Sequence, residues 1–231
     1  EYGGADLGYL GVSIDYLAKY WHRSNDSLAE ESLKKALDFL SWFYQDIAGT
    51  TGGEFGSRNT KYMLPHGLLL LSNRFEKARI LENNLRTALI NNIAINPQSI
   101  DDRYFLFFHY PNYAQVALEN ISDVNHIKLK SFLKIFPSCG LLSYKEENCQ
   151  FITNLKKGGI STINLKNNKV ILNDSGYFAK FGNKVLTTQA ISEILQITTL
   201  EQLPFTTKIK TNFVEYNSTG PSLKDLIIPF R

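Results

Sequence analysis

No apolar run in this chain approaches the roughly 20 residues that a membrane-spanning helix needs. The longest candidate, Leu68 to Leu71 with its flanks, falls far short, so no membrane insertion by a helix is expected. A basic excess is missing too. The formal net charge is +3, and the Lys and Arg residues are scattered rather than gathered into a stripe with interleaved aromatics. That excludes a dedicated nucleic-acid binder and leaves an acidic polymer open as a substrate. Only two cysteines occur, Cys139 and Cys149. They bracket a hairpin whose turn, Lys145 to Asn148, sets Cys149 opposite Tyr144 rather than Cys139, so they read as packing thiols and not as a bridge. Of the four histidines, no pair has metal-ligand spacing. No catalytic metal and no cofactor are expected.

What is present suffices for packing. A chain of 231 residues, 43% hydrophobic and 13% aromatic, can bury one large core or two modest ones, and a change of pattern near residue 136 favours two. Tyr and Phe far outnumber Trp, which supplies half-polar rings able to line a cleft.

Residues 7 to 22 read as a helix, because Leu7, Leu10, Ile14, Leu17 and Tyr20 or Trp21 recur at spacings of three and four. A second helix starts at the capping box Ser27-Leu-Ala-Glu30, shows Leu33, Ala36, Leu37, Leu40, Phe43, Tyr44 and Ile47 on its core face, and ends at Gly49. It returns the chain to the end from which the first helix set out. Pro65 suits the first turn of a third helix through Leu71, and Ala78, Leu81, Leu85, Ala88 and Leu89 spell a fourth. Another is expected from Ser99 to a break at Pro111, with further helical signal in Ala114 to Ile121 and in Ile127 to Phe136, where Pro137 stops it.

Beyond Pro137 the period becomes two. Gly140 to Tyr144, Gln150 to Asn154, Ile160 to Leu165, Val170 to Asn173, Tyr177 to Phe181 and Lys184 to Thr188 read as short strands. Asn167-Asn168 and Gly182-Asn183 are two-residue connections for antiparallel pairs. A short helix is expected at Ile191 to Ile197, then strands at Lys208 to Tyr216 and Asp225 to Pro229. The expected class is α then β, with a helical domain over 1–136 and an antiparallel β domain over 137–231. The opening at Glu1 and the few hairpins suggest a fragment of a longer protein.

The richest chemistry lies in Thr50-Thr-Gly-Gly-Glu-Phe-Gly-Ser-Arg-Asn-Thr-Lys-Tyr62, between the second and third helices. Gly49, Gly52, Gly53 and Gly56 permit close backbone approach, while Glu54, Arg58, Asn59 and Tyr62 offer acid, cation, amide and phenol, and His66 follows one turn on. A helical return brings this loop beside Glu1-Tyr-Gly-Gly-Ala-Asp-Leu-Gly-Tyr9. The plain alternative is a glycine-rich connection with solvated charges.

Helical hairpins with such loops at one end, followed by antiparallel strands, resemble the heparinase II/III-like polysaccharide lyases and the related alginate lyases. The likeness is architectural over most of the chain, and at motif level it rests on Glu1 to Tyr9, where Tyr9 matches the family's catalytic tyrosine. It implies an α/α toroid of helical hairpins over 1–136, a β-sandwich over 137–231, and a periplasmic or secreted enzyme. Two departures stand out. The family's Asn-His pair would lie upstream of Glu1, and its β-domain histidine has no counterpart, since His126 is the last histidine.

The resemblance implies β-elimination on a uronate-containing polysaccharide, which needs a carboxylate neutraliser, a base and an acid. Tyr9, Arg58 and His66 form the candidate catalytic set. Arg58 and Asn59 can hold the carboxylate, Tyr9 needs a nearby cation to act as base, and His66 is the nearest partner base. Asp6, Glu54, Asn59 and Tyr62 complete the substrate-binding set. Each also has a structural reading: Tyr9 as a boundary ring, Arg58 as the ion-pair mate of Glu54, His66 as a semi-buried imidazole. Asp6 and Glu54 can alternatively be the paired carboxylates of a glycoside hydrolase. A third reading is a non-catalytic glycan-binding module in which Tyr2, Tyr9, Phe55 and Tyr62 stack on sugars.

Overall fold

The computed structural model describes residues 5–44, 63–94, 96, 111–116, 130–165, 170–174, 176–188, 196–200, 206–210 and 213–215. Helices come first and antiparallel strands afterwards. Among the described residues the α-helices are α1 (Leu7–Ser24), α2 (Ser27–Ser41), α3 (Pro65–Ser72) and α4 (Glu76–Ile90), with a further helical stretch at 111–116.

The periodic apolar residues of α1 do what their spacing dictates. Leu7 and Ile14 are fully buried, and Leu10, Leu17 and Trp21 pack against the cluster that holds Ile14, whereas Tyr20 is exposed. Asn25, in the left-handed conformation at φ 53°, turns the chain, and α2 runs back. The cap of α2 is Asp26 rather than the expected Ser27, because its Oδ1 accepts from both Leu28 N–H (2.8 Å) and Ala29 N–H (3.0 Å), leaving Ser27 as the first helical residue. Leu33, Leu37, Leu40 and Tyr44 meet Ile14, Leu68, Leu71, Leu81 and Leu85 in one core. At about 1.5–3 kcal/mol for each large apolar side chain withdrawn from water, this cluster is what makes the helices stable. The regular part of α2 stops at Ser41, and Gly49 lies outside the described residues.

Pro65 occupies the first turn of α3, as its fixed φ and missing N–H allow. Residues 111–116 are helical from Pro111, where a break was expected, and the residues before it lie outside the described ones. The two successive hairpins are tied by Tyr44, whose hydroxyl donates to the Leu81 carbonyl at 2.9 Å.

Ten strands are described: β1 (Phe132–Phe136), β2 (Leu141–Glu146), β3 (Cys149–Asn154), β4 (Ile160–Leu165), β5 (Val170–Asp174), β6 (Phe178–Phe181), β7 (Lys184–Thr187), β8 (Gln196–Leu200), β9 (Thr206–Lys210) and β10 (Val214–Glu215). They pair antiparallel as a five-stranded meander β1-β2-β3-β4-β5, a three-stranded sheet β10-β7-β6 and the ribbon β8-β9. The left-handed Gly182 (φ 58°) makes the β6–β7 turn.

Several local expectations change. Phe132 to Phe136 is a strand, not a helix end, because it pairs along its length with Leu141 to Lys145. The β2–β3 turn is the two-residue Glu147-Asn148, so Cys149 faces Glu146 and Tyr144 faces Phe151. Gln196 and Ile197 belong to β8, held by Lys210 and Ile209, rather than to a short helix. The single strand expected over Lys208 to Tyr216 is two, β9 and β10, in different sheets. Asn167-Asn168, the Ser99 to Tyr110 helix and Asp225 to Pro229 lie outside the described residues.

Helices and meander share a second core. Leu7 and Phe43 pack with Leu141, Ile152 and Ile160, joined by Phe39, Trp42 and Phe136. One face of β1 docks on α2: Phe132 lies edge-on to Trp42 at 4.9 Å between centroids, and Phe136 meets Phe39 at 4.8 Å and Phe43 at 5.4 Å. Gln150 Nε2 donates to the Tyr44 carbonyl at 3.0 Å, fixing the end of α2 against β3.

Candidate functional site

Among the sequence-predicted site residues, Asp6, Tyr9 and His66 are described; Glu54, Arg58, Asn59 and Tyr62 lie outside the described residues. Asp6 caps α1, its Oδ1 accepting from Tyr9 N–H at 2.9 Å. This aligns Asp6 with the positive end of the helix dipole and commits one carboxylate oxygen to the backbone. Tyr9 is 39% exposed, and its carbonyl accepts from Ser13 Oγ at 2.9 Å. His66 is buried at 8% exposure in the first turn of α3.

The ends of the loop carrying the remaining candidates converge. Phe43, at the close of α2, shares a core with Leu7, and Met63, where the described chain resumes, packs against Gly11 of α1. Both therefore flank the first two turns of α1, which carry Tyr9.

Around His66 the structure builds a site that sequence reading missed. Asp15 is 1% exposed in the middle of α1. Its Oδ1 accepts from Gly67 N–H at 2.7 Å, and its Oδ2 accepts from Asn112 Nδ2 at 3.0 Å and Lys19 Nζ at 2.7 Å. Asn112 Oδ1 in turn accepts from His66 N–H at 2.8 Å. Leu64, the residue preceding α3, contributes no side-chain cap. Asp15 and Asn112 thus supply it from elsewhere in the chain, satisfying two of the orphan N–H groups of α3. The approach is close enough that a Cβ on Gly67 would meet the Asp15 Cα at 2.4 Å. The readable signal was Asp15 itself, an acid set among Gly8, Gly11, Ile14 and Ala18 on the inward side of α1.

With 100° per residue, Tyr9 stands about 120° around α1 from Asp15. Tyr9 therefore faces outward while His66 lies at the α1–α3 seam, so these two do not share a face. Tyr113, next to Asn112, has its phenol pushed up to about 12 by burial. Burial also raises both thiols, with Glu146 adding to the effect at Cys149, so neither cysteine has the low-pKa environment of a nucleophile. Among the described residues no group of three His, Cys, Asp or Glu side chains could hold a metal ion, and no helix is long and apolar enough to cross a membrane.

A groove of about 940 Å³ runs along α2 past Glu30, Lys34, Asp38, Arg74, Phe75 and Lys77. Its charges neutralise one another, Arg74 with Glu30 at 2.8 Å and Lys77 with Asp38, and none of the sequence-predicted residues lines it. No protein-family model, curated protein or solved structure matches the chain.

Proposed function

We propose that this chain is carbohydrate-active and lyase-like, cleaving an acidic, uronate-containing polysaccharide by β-elimination, with the helical pairs forming part of an α/α toroid and the sheets a β-sandwich. The reading is supported above all by one convergence: Asp6 and Tyr9 open α1 at the end of the α1–α2 hairpin where Phe43 and Met63 bracket the loop bearing Glu54, Arg58, Asn59 and Tyr62. In this scheme Arg58 and Asn59 neutralise the uronate carboxylate, Tyr9 exchanges the proton, and Asp6, Glu54 and Tyr62 bind the sugar. His66 is the weakest member, since its ring is buried at the seam.

A non-catalytic glycan-binding role is favoured by a different observation. Asp6 is engaged as a helix cap and His66 is buried, which leaves Tyr9 as the exposed member of the three described candidates. Incubating the full chain with uronate polymers and following ultraviolet absorbance separates the two, because only elimination makes unsaturated ends. Tyr9→Phe is expected to abolish that signal while polymer binding persists. Absence of unsaturated ends on every acidic glycan tried removes the lyase reading.

A further inference from the structure

We draw no further inference here: the strongest candidate, the side-chain cluster at the junction of helices and meander where Lys77 of α4 and Lys134 of β1 stand 5.5 and 5.3 Å from the centre of the Trp42 ring, carries nothing because Asp38 already neutralises Lys77 and nothing in the structure shows what would bind there.

Discussion

Replacing Asp15 by alanine tests whether the buried carboxylate holds α1, α3 and the 111–116 stretch together. The substitution removes the acceptor of three donors, Gly67 N–H at 2.7 Å, Asn112 Nδ2 at 3.0 Å and Lys19 Nζ at 2.7 Å. The losses are unequal. Lys19 is 29% exposed and its ammonium turns into water at little cost. Gly67 N–H and the Asn112 amide have no such escape, and each buried donor left unpaired costs about 1–3 kcal/mol. Relief of the carboxylate's own desolvation offsets part of this, so a net loss of about 3 kcal/mol is expected. For a chain of this size that lowers Tm by about 6–12 °C. Asp15→Asn keeps the volume and one acceptor for Gly67 and should lose about half as much. Urea midpoints and thermal melts followed by circular dichroism measure both variants. An Asp15→Ala protein within about 0.5 kcal/mol of wild type would refute the role given to this network.

Gly67→Ala places a methyl group 2.4 Å from the Asp15 Cα, a backbone atom that cannot swing aside. α1 and α3 must part, and a loss of about 1–3 kcal/mol is expected in the same urea assay; wild-type stability would show that the seam is loose. The Asp26 carboxylate lies below its usual value of 3.8 because Ala29 N–H, then Leu28 N–H, then the Tyr20 hydroxyl donate to it. With the folded pKa below the unfolded one, its contribution is complete above the ordinary value and fades as pH falls through the lower folded value. The gap in urea midpoint between wild type and Asp26→Ala should therefore be widest near neutrality and shrink toward pH 3, and a gap independent of pH contradicts the capping account.

Local pattern explains which elements could be read from the chain. The apolar spacing in α1 and α4 and the β-rich runs of β3 and β4 each reach burial through their own residues, so their limits lie close to expectation. β1 was misread because Phe132, Ile135 and Phe136 sit at helical spacing, while the strand that claims them lies beyond Pro137. Ser27 was chosen over Asp26 because both are good caps, and only the backbone decides which stands outside the helix. The Asp15 network joins residues 52 and 97 positions apart, a separation that no local window spans. Tyr9 and Asp6 were visible through their glycine-rich setting, whereas spacing alone left Tyr20 and Trp21 as equal candidates for the apolar stripe of α1, and packing chose Trp21.

The junction where Leu7 and Phe43 meet Leu141, Ile152 and Ile160 bears on how this chain can be handled. Scissors placed at Pro137 would strip both pieces of their shared greasy floor, and the Tyr44 carbonyl would lose Gln150. The rods alone would then be expected to clump, and would come out of a cell cleanly only when the strands are made alongside them.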